Sequence, residues 1–435
     1  MDCRKHTGRS EKFFPKDVVN GFPSQVFRLP VVETPSAKMC LACRGAKLLC
    51  GKPRCPILLS VEALSKSFWE AHSQTLDGFS TGVFVGRVGY PKVYVGPVMS
   101  PSDEFTDTPE LWSGISFERF IELRSATLTG RREFRATDAR DPPSLLQKIQ
   151  EVALSTKPTS SELVLESSPV YKLYLSEEVP PFGASALYRE LSVNGVSADK
   201  RLERAYYDLD LDARSAITQL YKKGVFVSSI QRALSVGLLG KARSRRLVPT
   251  RWSITAVDSV LSEQIIKKIR LNPTVSEYLV FHKQHMESTY VGFLFPDRWS
   301  FEWVEAWQPN TVWNKNQRET TLIADHEYHE GRSSYAQPGG CYYAARLAAS
   351  EYLEAIGRQA RVILLREIHS GYLVPLGVWS VREAIRELFK TKPLRFGGVK
   401  EAVEFGVSKT SLPLKKWCES ARLLLESVKQ TKLEI

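Results

Sequence analysis

Long apolar runs are missing from this 435-residue chain. No stretch approaches the roughly 18 to 20 uninterrupted apolar residues that a membrane helix needs. An apolar stretch is also missing behind the polar opening Met1-Asp2-Cys3-Arg4-Lys5, so no secretory signal is expected. There is no internal repeat and no long low-complexity linker. No P-loop, helicase motif, Ser-His-Asp order or nucleotide-binding fingerprint occurs, which argues against an ATP-driven motor. Cysteine is scarce, seven in all, and unevenly placed. Four fall in one short window, while Cys3, Cys341 and Cys418 are scattered. A secreted disulfide protein would spread an even set along the chain, so the clustering points to metal.

What is present is an ordinary globular composition, 43% apolar and 25% charged, with ample material for a core. The length fits two domains, or one large domain with an appendage. The formal net charge of +12 biases the chain toward polyanions, nucleic acid above all. A densely charged, solvated surface is the other reading of that charge.

Residues 1–36 are basic and irregular, with Pro15, Pro23, Pro30 and Pro35 breaking any helix. Helical spacing runs from Leu58 to Phe68. Gly82 to Pro97 holds two β-rich runs around a Gly/Pro-containing turn and reads as a hairpin. Helices are expected at Ser116–Thr127, Pro143–Leu154, Val257–Arg270, Tyr342–Ile356 and Val378–Phe389, and over much of Lys200–Leu239. Strands are expected at Glu162–Leu165, Tyr171–Leu175, Leu279–Phe281, Tyr290–Phe295 and Arg361–Glu367. Trp299 to Trp307 alternates aromatic and polar residues, the pattern of a half-buried strand. Asp208, Asp210 and Asp212 lack the glycine and terminal glutamate of a calcium loop and read as a helix-cap region. The fold class is α+β, or mixed α/β: a mixed or antiparallel sheet packed with helices, plus a small N-terminal zinc-bound loop segment.

The cysteine window has the form Cys-x2-Cys-x6-Cys-x4-Cys, from Cys40 and Cys43 to Cys50 and Cys55. Two thiolates on a tight turn chelate one ion and two more close a tetrahedron, which suits structural Zn2+. Four sulfur ligands leave no open position for catalysis. A 4Fe–4S cluster takes the same ligands, and unconnected core cysteines remain the plain alternative. Lys38, Arg44, Lys47, Lys52 and Arg54 surround the window, where they would favour thiolates or touch phosphate.

Two further clusters carry chemistry. Arg243, Arg245, Arg246 and Arg251, with Trp252 beside them, suit phosphate contact and base stacking; a salt-bridged helix end is the alternative. Arg87 and Lys92 on the hairpin are also phosphate candidates. Asp325, His326, Glu327 and His329 form the densest acid/base cluster, expected on a loop, where a second, catalytic divalent metal would bind. No complete metal signature accompanies it, even with His282 and His285, so a salt-bridged loop is the other reading. The stripe of Trp299, Phe301, Trp303 and Trp307 reads as core.

Several segments taken together resemble the archaeal Nre family of DNA-repair proteins. They are the four-cysteine window, Phe84-Val85-Gly86-Arg87-Val88-Gly89-Tyr90-Pro91-Lys92-Val93, Leu154-Ser155-Thr156-Lys157-Pro158 and Ser244 to Ser253. The C-terminal half adds Trp299 to Trp307, Asp325-His326-Glu327, Gly339 to Arg346 and Gly377-Val378-Trp379. The resemblance spans nearly the whole chain in one order. It implies a cytoplasmic protein of the archaeal DNA-damage response, and the basic surfaces are expected to bind DNA. The implied organisation is a zinc-bearing segment at 1–60, an N-terminal family domain at 61–285, a C-terminal family domain at 286–425 and a tail at 426–435. It further implies a partner, the PCNA sliding clamp, bound through a peptide of the form Gln-x-x-aliphatic-x-x-aromatic-aromatic. Gln430 and Leu433 are in register with it, but the aromatic pair is absent and the sequence ends at Ile435. A metal-dependent nuclease or a base- or nucleotide-processing enzyme built on Asp325-His326-Glu327 is the alternative function, and RNA binding fits the charge as well as DNA binding does.

Overall fold

The computed structural model describes residues 36–45, 47, 49–51, 55, 74–112, 114–170, 179, 183–315, 318–372 and 374–430. The helix expected at Leu58–Phe68 and the strand expected at Tyr171–Leu175 lie outside them. The described residues belong to one unit, within Val32–Ile435. The fold is α+β, with twelve helices and two sheets among the described residues.

A short helix, α1 (Ala37–Cys43), opens on Ser36, whose hydroxyl accepts from the Met39 amide. The first sheet follows. Strands β1 (Thr75–Val85) and β2 (Lys92–Ser100) form the expected hairpin. Helix α2 (Phe117–Ser125) leads to β3 (Leu128–Arg135), and α3 (Ser144–Leu154) leads to β4 (Thr159–Leu165) and β5 (Ala184–Asn194). These strands close into a barrel in the order β1-β2-β3-β5-β4, with β3 and β5 parallel and β1 returning to β4. Helix α3 packs against β1, β2 and β5 and buries Leu146, Ile149, Val152 and Ala153 in the core. Closure needs close backbone approach: a Cβ at Gly96 would sit 2.1 Å from the Gly130 carbonyl oxygen on β3. Tyr188 fills the barrel, fully buried.

Helices α4 (Lys200–Tyr207), α5 (Ala213–Lys222), α6 (Val227–Ser235) and α7 (Thr250–Ile269) come next. Asp212 caps α5 by accepting from the Ser215 amide, so the aspartate run is a cap region as its spacing suggests. Helix α7 begins at Thr250, directly after Pro249 and seven residues earlier than its apolar periodicity suggests.

The second sheet has six strands in the order β11-β6-β7-β10-β8-β9. They are β6 (Tyr278–Gln284), β7 (Ser288–Phe295), β8 (Ser300–Trp307), β9 (Thr321–Glu327), β10 (Arg361–Ile368) and β11 (Leu394–Phe396). Only β8 and β10 pair in parallel. The expected boundary between 285 and 286 falls in the turn joining β6 and β7, which pair as neighbours. Helices α8 (Gly340–Ala355) and α9 (Trp379–Phe389) share one core with α7 and one face of the sheet. Helices α10 (Val399–Val407), α11 (Leu414–Trp417) and α12 (Arg422–Gln430) complete the chain, and residues of all three join the core on the other face. Covering both faces buries every residue of β8, so Trp299–Trp307 is not the half-buried strand that its alternation suggests. The charged members, Glu302 and Glu305, are buried with partners.

Candidate nucleic-acid interface

The hairpin turn between β1 and β2 runs from Gly86 to Pro91. It is closed by the Gly86 amide donating to the Tyr94 carbonyl (2.8 Å) and the Lys92 amide donating to the Gly89 carbonyl (3.0 Å). Gly89 adopts φ +85°, a left-handed conformation that glycine takes without cost. Arg87, Val88 and Tyr90 are exposed on this turn, as is Lys92 at the start of β2.

Helix α7 begins directly against it. The Val85 amide donates to the Thr250 hydroxyl at 2.9 Å. Two residues further, the Trp252 ring meets the Tyr90 ring with centroids 5.2 Å apart at 55°. Both rings stay open to solvent, Trp252 at 46% and Tyr90 at 38% exposure. The chain before α7 runs beside the helical turn Ala136–Arg140 that follows β3: the Leu247 amide donates to the Ala136 carbonyl at 2.8 Å. The turn Ala242–Ser244 packs on the same segment. Arg243 and Arg246 are exposed there, and Arg251 is half-buried. The Tyr90–Trp252 contact therefore joins two segments some 150 positions apart in sequence, the turn with Arg87 and the chain from Arg243 to Trp252.

Arg245 does not belong to that surface. It is 5% exposed, its Nε donates to the Gly240 carbonyl at 2.9 Å, and a terminal nitrogen donates to the Tyr206 carbonyl. Its guanidinium lies 4.5 Å from the centre of the Tyr206 ring. It ties α4 to the loop before α7, a structural duty that an arginine-rich run does not reveal.

Tyr94 and Arg135 lie beside this turn without any motif in the sequence to mark them. On β2, Lys92 and Tyr94 alternate with the buried Val93 and Val95. Across from them on β3, Arg135 stands opposite Lys92 and Glu133 opposite Tyr94. The available signal was the Lys-x-Tyr alternation after Pro91; β3 itself was hidden by its charges, Arg131-Arg132-Glu133.

The cysteine segment lies against the second sheet instead. Cys40 is buried with Leu41 among Trp112, Trp307, Val312 and Trp313, with Cys55 packed on the same cluster. None of the four cysteines is in a disulfide. Burial, then the neighbouring Cys55, Cys43 and Cys50, push the Cys40 thiol up to about 11. The sulfurs are thus within electrostatic reach of one another, although no group of three or more His, Cys, Asp or Glu among the described residues encloses a metal position. As a donor set they still suit zinc, whose binding displaces thiol protons. Lys38 and Lys47 are exposed nearby, and Lys52 and Arg54 lie outside the described residues. Arg44 turns inward: its guanidinium donates to Glu305 at 2.6 Å and to the Cys341 sulfur at 3.4 Å.

Asp325, His326 and Glu327 sit on β9, paired with β8, and not on a loop. Thr321 to Ala324 is β-branched or apolar enough to continue the sheet, and the three polar residues extend it. Strand alternation splits them. Asp325 accepts from Arg332 (2.8 Å) and from the Gln337 amide (2.8 Å). Glu327 accepts from Arg346 (2.7 Å) and from the Trp299 indole (3.1 Å). His326 lies on the opposite face, across from Glu302, with its ring against Tyr328. His329 follows in the turn and leaves its buried Nδ1 without a hydrogen-bond partner. His282 is on β6, four strand spacings from β9, which is roughly 19 Å. His285 begins the turn after β6. Glu302 accepts from the Leu423 and Leu424 amides at the start of α12, both at 3.0 Å.

Gln430 is the last residue of α12, and Leu433 and Ile435 lie outside the described residues. Among the described residues, no helix is long and apolar enough to cross a membrane.

Comparison with known proteins agrees across the chain. Residues 49–314 match the model described as archaeal Nre, N-terminal, and residues 327–435 match archaeal Nre, C-terminal. DNA repair protein NreB of Archaeoglobus fulgidus is 39% identical over 396 residues, covering 90% of this chain and 98% of that protein. DNA repair protein NreA of the same organism is 37% identical, covering 84% of this chain and 92% of the relative. DNA repair protein NreA of Haloferax volcanii is 33% identical, covering 76% and 80%. No solved structure matches the chain.

Proposed function

This chain belongs to the archaeal Nre family of DNA-repair proteins, and from that premise we propose that it binds DNA through the surface centred on Tyr90 and Trp252. The observation that carries the reading is the contact between those two rings, which joins the turn bearing Arg87, and Lys92 just after it, to the start of the helix that follows the arginine-rich segment Arg243–Arg251. Arginine forks match phosphate oxygens, and exposed rings offer a stacking surface for bases. The net charge of +12 supplies long-range attraction.

Zinc on Cys40, Cys43, Cys50 and Cys55 is part of the same reading. Four thiolates leave no vacant coordination position, so the ion would hold the segment in shape against the second sheet. Docking on the PCNA sliding clamp through Gln430, Leu433 and Ile435 completes it, in a cytoplasmic protein. The enzyme reading gains nothing from the geometry of β9, where Asp325 and Glu327 are committed to Arg332 and Arg346.

Salt dependence tests the DNA reading. The logarithm of affinity should fall linearly with that of salt concentration. Replacing Arg243 and Arg246 with alanine should flatten the slope by about one for each phosphate that the pair neutralises. A slope unchanged in the double variant would refute the assignment; Arg245→Ala would not test it, because Arg245 is structural.

A further inference from the structure

The barrel carries more information than its charge. Five strands closed in the order β1-β2-β3-β5-β4, with β3 and β5 parallel and one helix between β3 and β4, make the arrangement of an OB barrel. In such barrels the outer face of the second and third strands, with the loop between the first and second, is where oligonucleotides lie. A shared fold does not by itself assign a function; the side chains on it do.

They do so at the corresponding place. The loop between β1 and β2 is the turn that holds Arg87 and Tyr90. On β2 and β3 the buried pair Val93 and Phe134 fixes which residues point outward. Those on either side of it are Lys92 with Arg135 and Tyr94 with Glu133, all exposed. Tyr94 is 43% exposed, a large ring left in solvent. The one acid, Glu133, is offset by Lys92 at 3.8 Å. Three open aromatic rings, Tyr94, Tyr90 and Trp252, are therefore spread over the strand face, the loop and the start of α7, with cations among them. Rings pointing outward beside cations suit unstacked bases on a charged backbone, whereas paired bases in a duplex hide their faces.

We infer that the outer face of β2 and β3, the turn Gly86–Pro91 and Trp252 form one binding face for single-stranded DNA, on which Tyr90, Tyr94 and Trp252 stack bases. The inference rests on the DNA-binding reading above and narrows it to a strand state and a set of stacking residues.

The test uses the full chain and fluorescently labelled 20-nucleotide probes: single-stranded DNA, duplex DNA and single-stranded RNA of one sequence. Single-stranded DNA should bind most tightly. Trp252→Ala and Tyr94→Ala should each weaken it by about 5- to 100-fold, the range expected when one base–ring stack is removed, with duplex binding little changed. Trp252→Phe should recover most of that affinity, which separates stacking from a folding defect. Equal affinity for duplex, with Trp252→Ala and Tyr94→Ala binding like the parent, would overturn this inference and leave the DNA-binding reading standing. Absence of binding to all three probes would overturn both. Tighter binding to RNA, abolished in the same variants, would overturn the DNA assignment and give the face to RNA.

Discussion

The guanidinium of Arg44 donates to the carboxylate of Glu305 at 2.6 Å across 261 residues of sequence, and both side chains are buried. Glu305 also accepts from the indoles of Trp303 and Trp307, each at 3.1 Å, and Arg366 lies 3.7 Å away. Burial pushes Glu305 up, but Arg44 and Arg366 outweigh it and hold the carboxylate below its ordinary range. The cysteine segment is thereby bolted to β8 of the second sheet. Arg44→Met removes one partner from a buried pair and should cost about 3 kcal/mol of unfolding free energy. Because the folded pKa is depressed, the stabilisation is present at neutral pH and is lost as pH falls below the ordinary glutamate range. Denaturant unfolding of parent and variant should therefore converge in acid. A variant within about 0.5 kcal/mol of the parent at pH 7 would contradict this role.

Glu302 behaves in the opposite sense. Burial raises its pKa from 4.5 to about 7, against the Leu423, Leu424 and Arg422 amides, which lower it. Glu426 adds to the rise, and His326 stands across from it on β9. A raised folded pKa means stability that is full below the unfolded value and is lost as pH rises through the folded one. Glu302→Gln keeps an acceptor for α12 and removes the titration. The parent should lose up to about 3 kcal/mol relative to Glu302→Gln between pH 4.5 and 7. Parallel stability curves for the two proteins over that interval would sink the prediction.

Zinc content is directly measurable. The purified chain should carry about one zinc per molecule, and Cys40→Ser or Cys55→Ser should lose it. Stripping the metal should lower Tm by on the order of 5 °C, since binding energy at a structural site is folding energy. A metal-free protein whose melting ignores both chelator and added zinc would remove zinc from the account.

The C-terminal clamp motif stands on Gln430, Leu433 and Ile435 without an aromatic pair. Titrating the last twelve or so residues, and then the whole chain, into the cognate sliding clamp should release heat that Leu433→Ala abolishes. No heat from either titrant would dismiss the partner.

Much of the fold was legible in the sequence where one period dominated. The hairpin at Gly82–Pro97 and the helices ending at Leu154, Ala355 and Phe389 follow their apolar spacing. What was hidden depended on tertiary context. On β3, Arg131 and Glu133 fall on the alternate positions that face solvent, while Arg132 between them pairs with Glu166 and breaks the apolar alternation, so the charges mask its period. β9 reads as a loop because its three polar residues find partners only in the folded molecule: Arg332, Arg346 and the face around Glu302. Arg245 and Arg44 look like surface cations, and only the positions of Tyr206 and Glu305 turn them inward. The proposed interface was half visible. The arginines and Trp252 stand together in one basic window of the sequence, but its junction with the hairpin turn needed the Tyr90–Trp252 contact.

That pair of rings also defines the most direct measurement. Single-stranded DNA with 5-bromouracil in place of thymine can be cross-linked to the full chain by ultraviolet light, and the attached residues mapped by peptide mass. Cross-links are expected at Tyr90, Tyr94 and Trp252, with protection of Lys92 and Arg246 from amine- and guanidine-specific reagents. Cross-links confined to other parts of the chain, with those three rings unmodified, would contradict the account.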